Sequence, residues 1–534
     1  MIKKTRKINV IAEKLKSSIE SIDLSKIKTI VIDRVTKFLK LFLDKRIYII
    51  ILFLIMTLAI VYEYNYVANY SVYSSDDFTH YIQMGMAEGF NLDDNFNNGI
   101  AYVKWHLNVW GGVYFGMFLH GIIGVNNKVR DLTGLRFWMS VNVILYFASV
   151  FIFFISLVSN IIMKEKAFIE KLTVSSVLSF VFILLFNGFN FYEEPFTWFP
   201  AAASYSVGVS LFLLSFAIMM SFKFEKKVSN IVLNIVKFLI AALLAICSMG
   251  TSISVVMLGW ILIFAYLIYA FVENKINIGN VLLSLVFIRF GLFNIMAPGN
   301  FARRETAKQG IDIKETLDTL MMFLKKRIDY INSRYLLIVC IILFSLIAAY
   351  FIYKNVKISK SYMIVSAFLF ILPFAVTGPI AFGYSPDWEL YDRNNFMIDM
   401  SIIIVYINAV ILLSGAIIYL FENLIKENEK IVPVVVFSLF AIISINCFKN
   451  FEKIDLYQFE SAVVLNDIIN EKYKKFDEEY MIAFNELLEN VGKDVAYIHY
   501  PNEDDVPEKL YFYPELNMYM YQGFFNIKNI KRAK

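Results

Sequence analysis

IYIIILFLIMTLAIVYE, residues 47–63, is an apolar run with no charge before Glu63. A helix needs about 17–25 such residues to cross a bilayer core. Before it lie Lys3, Lys4, Arg6, Lys7, Lys14, Lys16, Lys26 and Lys28, then Arg34, Lys37, Lys40, Lys45 and Arg46. The basic segment is long and no small-residue cleavage site precedes the polar stretch that follows, so the run reads as an uncleaved first span. Residues 1–46 are then a basic cytoplasmic or interfacial arm, with the amino terminus inside.

Working outward, apolar runs recur near residues 150, 180, 210, 238, 262, 287, 344, 371, 408 and 440. With the first they predict about eleven transmembrane helices. Composition agrees: of 534 residues 58% are hydrophobic, 17% aromatic and 18% charged, with mean hydropathy +0.59. An ordinary soluble enzyme is excluded. Cys247, Cys340 and Cys447 each sit inside an apolar run, leaving no disulfide framework and no CxxC metal site. The net charge of +5 is modest and Lys and Arg gather at predicted membrane boundaries, which points to membrane lipids and not to nucleic acid.

Val109–Gly124 is short and contains Gly111, Gly112, Gly116, Gly121 and His120, so it reads as re-entrant or interfacial. With that segment not spanning, the basic links near Lys164–Lys171, Lys223–Lys227, Lys275, Lys354–Lys360 and Lys426–Lys430 face the cytoplasm. Four polar stretches then share the outer face: the long first loop 65–136, Asn187–Trp198, Ala297–Arg334 and Gly383–Asn395. The third is rich in Lys and Arg and pulls the other way, but the opposite parity would separate the acidic first loop from the other polar loops. The division is 1–46, a polytopic domain 47–448, and a small α/β extracytoplasmic segment 449–534. In the last, Leu456–Asn490 has helical spacing, and Val495–Tyr500 and Lys509–Tyr513 read as strands.

Four constellations carry candidate chemistry. In Tyr73-Ser-Ser-Asp-Asp-Phe-Thr-His-Tyr81, Asp76 and Asp77 have the form of a general-base pair, although Ser74, Ser75 or Asp76 also suits a helix N-cap. His80 follows them by four and three residues, so the three share a helical face that a divalent ion such as Mg or Mn would also fit. Trp105 and His106 lie further along the same loop. The link Asn187–Pro200 offers Glu193 and Glu194 for sugar hydroxyls and Trp198 for a ring face, against the alternative of an interfacial aromatic belt. Ala297-Pro-Gly-Asn-Phe-Ala-Arg-Arg304 turns at Pro-Gly, and Arg303 and Arg304 suit a phosphate or a lipid headgroup. The fourth, Asp387-Trp-Glu-Leu-Tyr-Asp-Arg393, places Arg393 just before a long span as a phosphate contact or an anchor. Arg289, inside a span, is a costly charge that needs a partner or a function. GxxxxGK[ST], HExxH and GxSxG are all missing from the sequence.

The segments SSDDF, TWFPAAASY and APGNFARR together resemble a large family of bacterial polytopic proteins related to the GT-C glycosyltransferases. The resemblance covers roughly residues 47–400, with Trp198-Phe199-Pro200 where family members commonly have W-T-G. It implies an all-α GT-C-like membrane bundle in the bacterial cytoplasmic membrane. The implied enzyme moves a sugar, with inversion, from a polyprenyl-phosphate donor to a glycan or glycolipid acceptor at the outer face. Asp76 or Asp77 would be the base, Arg303, Arg304 and Arg393 would hold the departing phosphate, Asn300 would be a further substrate-binding residue, and Trp105, Trp110 and Trp388 are candidates for sugar stacking. A polysaccharide polymerase or ligase, or a lipid-linked sugar flippase or other transporter, are the alternatives.

Overall fold

The computed structural model describes residues 44–533 except 75, 89–90, 92–93, 125–130, 223–227, 307–312, 356–359, 384–388, 421–458, 503–504 and 513–520. By internal contacts the chain divides into Met1–Phe53 and Leu54–Lys534, and the packing below is that of the second unit. The chain is an all-α multi-pass membrane protein. Among the described residues nine helices are long and apolar enough to cross a membrane, and ten if one bent pair is a single span. The expected run near residue 440 lies outside the described residues.

In order, α1 (Lys45–Ala68) is the first span, followed by the short helices α2 (Asp76–Gly85), α3 (Asn95–Val109) and α4 (Tyr114–Ile123). The spans α5 (Thr133–Leu157) and α6 (Phe168–Ile183) follow, then the one-turn helix α7 (Glu193–Thr197). Next come α8 (Phe199–Met220), α9 (Val228–Met249), α10 (Ile253–Val272), α11 (Ile278–Ile295) and the short α12 (Pro298–Thr306). The last group is α13 (Ile313–Ser333), α14 (Tyr335–Asn355), α15 (Lys360–Leu369), α16 (Leu372–Gly383), α17 (Asp392–Leu420), α18 (Glu460–Ile469) and α19 (Lys472–Glu489). In a bilayer each run must satisfy its own backbone, so apolar length becomes helix.

Small residues set how closely the spans approach. Ala241, Ala245 and Met249 on α9 are fully buried at four-residue spacing, while Val232, Val236, Leu239 and Leu243 are exposed. Ser215 Oγ of α8 donates to Ala241 O at 2.8 Å, and Ser248 Oγ donates to Gly208 O at 2.8 Å. A Cβ on Gly208 would lie 2.2 Å from Thr251 Oγ1, so the Thr251 side chain packs directly on the glycine backbone. The α3–α4 pair is held likewise, since a Cβ on Gly121 would sit 2.2 Å from Gly99 Cα. At 10 residues α4 is too short to span.

Three expectations are corrected. The stretch 297–334 is no open loop: α12 and the long α13 occupy most of it, and α13 meets α14 at an 86° bend. Where a strand is expected over Lys509–Tyr513, the described residues 509–512 form none: Tyr511 is stacked against Trp198 with ring centroids 4.1 Å apart and its N–H donates to Thr197 Oγ1. The partner of β1 (Val495–Ile498) is instead β2 (Asn529–Arg532), in parallel register Val495 to Asn529. Within the stretch expected to be helical, α18 and α19 are separated at Glu471, whose φ of 55° is left-handed.

Candidate functional site

The start of α2 explains why two adjacent aspartates differ. Asp77 N–H donates to the backbone Ser74 O, and Ser74 N–H donates back to Asp77 Oδ2, each at 3.0 Å, so the carboxylate closes the turn that opens α2. Asp77 is 2% exposed, and burial pushes its carboxyl well above the usual range. The turn is clamped by the Trp198 indole N–H, which donates to Ser74 O at 3.2 Å, and by Tyr480, whose hydroxyl donates to Tyr73 O at 3.1 Å. Asp77 Oδ2 thus holds the turn, while Asp77 Oδ1 is buried with no hydrogen-bond partner among the described residues. Asp76 is half-buried, and its charge reaches both Tyr102 and Glu194.

Phe196 explains how Glu193 and Glu194 are placed. Its ring is wholly buried among Tyr64, Tyr146, Phe147 and Phe396, which pins α7 inside the bundle. Pro195 O is satisfied by Asn142 Nδ2 at 3.0 Å and Ser206 Oγ at 2.7 Å. The ends of α7 and α17 then exchange bonds: Glu194 N–H donates to Asp392 Oδ2 at 3.3 Å, and Arg393 N–H donates to Glu194 Oε2 at 3.0 Å. Arg393 Nη1 also meets Glu194 Oε2 at 2.9 Å, and its guanidinium lies 4.3 Å from the Tyr391 ring centre and 5.2 Å from that of Trp198. Burial raises the Glu194 carboxyl, Arg393 opposes this, and Asp76 adds to it.

Glu193 faces a further set that the sequence reading did not single out. Lys509 Nζ is 3.1 Å from Glu460 Oε2, and Arg334 Nη2 is 2.5 Å from Glu460 Oε1. The Tyr330 hydroxyl donates to the same oxygen at 3.1 Å, and Phe191 N–H donates to Glu460 at 2.6 Å. Burial acts to raise Glu460, but Lys509, Arg334 and the Phe191 N–H overcome it and hold its carboxyl low. Glu193 is pushed up to about 7, by burial first and then by Glu194 and Glu460, against the pull of Lys509. Deeper in the helices Arg327 pairs bidentately with the fully buried Asp399, which also accepts from the Tyr192 hydroxyl at 3.0 Å. Asp392 stands in the same quoted run as Arg393, and only its neighbour drew attention. The partners Glu460 and Lys509 carry no local signal, since they become visible only when the carboxy-terminal segment folds back.

The histidines form a separate group. His80 Nδ1 is 2.6 Å from the Tyr102 hydroxyl, which in turn donates to Gln83 Oε1 at 3.0 Å, so Nδ1 carries the imidazole proton. The His80 and His120 ring centres are 4.1 Å apart. Burial lowers His80 to about 4, which keeps it neutral at pH 7. His106 is buried and its Nδ1 bonds Gly111 O at 2.8 Å, fixing the α3–α4 turn. Asp77 Oδ2 is held by the Ser74 N–H, and His80 Nδ1 by the Tyr102 hydroxyl. Among the described residues no three His, Cys, Asp or Glu side chains are grouped to hold a metal.

The remaining candidates divide. Trp198 is 2% exposed, with Tyr511 stacked on its ring and Arg393 beside it, so it cannot stack on a sugar. Trp105 is half-buried against Tyr102, and Trp110 is 39% exposed. Asn300 is a staple: Nδ2 donates to Asn294 O at 2.8 Å and Ile295 O at 3.0 Å, while Oδ1 accepts from Gly112 N–H at 3.2 Å. Arg303 and Arg304 lie on α12 with side chains outside the described residues, as does Trp388 entirely. The structure thus brings together Asp76, Glu193, Glu194 and Arg393, and leaves Asn300 and His106 as supports. No protein-family model, curated protein or solved structure matches the chain, so the likeness to the GT-C-related family rests on the quoted motifs.

Proposed function

We propose that the chain is a GT-C-type membrane glycosyltransferase of the bacterial cytoplasmic membrane, moving a sugar from a polyprenyl-phosphate donor to a cell-envelope glycan or glycolipid. One observation carries this reading: Asp76, the pair Glu193 and Glu194, and Asp392 with Arg393 come from three distant polar stretches and lie within electrostatic reach of one another. In the proposed reaction Asp76 takes the proton of the acceptor hydroxyl, whose oxygen bonds to the anomeric carbon as the bond to the donor phosphate breaks. The electron pair leaves on the polyprenyl phosphate, and a phosphate leaving group needs no general acid. Arg393, together with Arg303 and Arg304, offsets its charge. The amino terminus lies inside and the site outside. The described residues of the carboxy-terminal segment cap that side, a placement supported by the bonds of Tyr480 and Tyr521 to Tyr73 O.

The test is Asp76→Asn against Asp77→Asn in the native host, with surface glycan as readout. Asp76→Asn removes the glycan while the protein accumulates normally, whereas Asp77→Asn acts through stability. A second reading, a lipid-linked sugar flippase, is favoured by the buried Arg327 and Asp399 pair, since ionisable groups inside spans often mark a transport path. It would stand in place of the first if Asp76→Asn left the glycan intact while Arg327→Gln abolished it.

A further inference from the structure

Away from the carboxylate cluster a groove of about 530 Å³ runs between α3 and α11. Arg289, Leu292, Phe293 and Met296 line it from one face of α11, at the three- and four-residue spacing that stacks side chains on a helix. Leu292, Phe293 and Met296 are 42%, 52% and 65% exposed, and Arg289 is exposed among them. Phe287, Gly291 and Asn294 turn the other way and are buried, so the groove lies on the lipid-facing side of a span. From α3, Lys104 and Asn108 complete the wall, both exposed. No carboxylate lines the groove, and neither cation forms an ion pair among the described residues. Arg289 stands six residues before the end of α11, roughly 9 Å of helix rise, from where its long stem reaches toward the headgroup level.

A cation on a lipid-facing helix face is costly unless an anion meets it. We propose that this groove binds an anionic diacyl phospholipid, its phosphate held between Arg289 and Lys104 with Asn108 as a further donor, and its acyl chains along Leu292, Phe293 and Met296. Charge complementarity selects the headgroup, since two cations face no acid. The apolar strip opens sideways, continuous with exposed Leu285 and Leu282 on α11, so the ligand enters by lateral diffusion and not from water. The site is independent of the transferase reading, because none of its residues belongs to the carboxylate cluster.

The test is native mass spectrometry of the full chain, delipidated in detergent and titrated with phosphatidylglycerol or with phosphatidylcholine of the same acyl chains. Phosphatidylglycerol is expected to bind on the order of tenfold tighter, and the double variant Arg289→Gln, Lys104→Gln to remove that preference. Lys275→Gln, at an exposed lysine already paired with Glu273, leaves it unchanged. Lys104→Glu, a single change at an exposed position of α3, is the second variant should the double one fold poorly, and it must also weaken phosphatidylglycerol selectively. Equal affinity for the two lipids, an unchanged double variant, or displacement of phosphatidylglycerol by equimolar polyprenyl phosphate would each overturn the assignment.

Discussion

Arg393→Gln is the most informative single change. The guanidinium side chain is 17% exposed and the Glu194 side chain 4%, so the pair is largely shielded from water. Removing one partner of a buried ion pair leaves an uncompensated charge, which costs about 3–5 kcal/mol. Glu194 already sits above its ordinary value of 4.5 through burial, and losing Arg393 raises it further. An acid whose folded pKa is raised stabilises the fold fully below its unfolded pKa and loses that contribution as the pH climbs through the folded value. The penalty of Arg393→Gln is therefore larger at high pH, where Glu194 is charged, and shrinks as the pH falls toward its ordinary value of 4.5. Glu194→Gln strands the arginine less severely, and the double variant recovers on the order of 2 kcal/mol of the sum of the single losses. Thermal aggregation midpoints of the detergent-solubilised chain, read by size-exclusion fluorescence between pH 5 and 8, measure all four proteins. Strict additivity, or an Arg393→Gln penalty that does not change with pH, would refute this account of how α7 and α17 are joined.

Other outcomes follow from the same geometry. Gly112→Ala places a Cβ 1.8 Å from Asn294 O and prevents correct folding, whereas Gly85→Ala, which meets nothing within 4 Å, is neutral in the same expression and monodispersity assay. Trp198→Phe removes the indole donor to Ser74 O and costs about 1 kcal/mol, visible as a lowered melting midpoint. Glu193, raised to about 7, makes its full contribution to stability below its ordinary 4.5 and loses it as the pH rises to about 7. Glu193→Gln should flatten that part of the pH profile by an amount on the order of 3 kcal/mol at most. Cysteines at Asn95 and Lys528 should react with an impermeant maleimide from the same side of the membrane, because the carboxy-terminal segment is bonded to Tyr73 next to the first loop.

What could be read in the sequence follows from the reach of each signal. Apolar length is local, so every run that lies within the described residues appears as a candidate span or as part of the bent pair. The turn at Ser74–Asp77 is also local, since the two bonds between these residues need only a spacing of three. The role of Trp198 was not: an aromatic at a span boundary suits an interfacial belt or a sugar platform equally well, and it is Tyr511, more than 300 residues away, that fills its face. Arg327 shows the same limit, because among the Lys and Arg of 303–334 nothing marks it as the one paired with a buried Asp399. A charge balance taken over a segment cannot see pairing, yet pairing decides whether a basic stretch faces water or packs inside. At least two of the arginines in 297–334, Arg327 and Arg334, are paired with Asp399 and Glu460, so a count that weighs them as free charges does not report the side of the membrane.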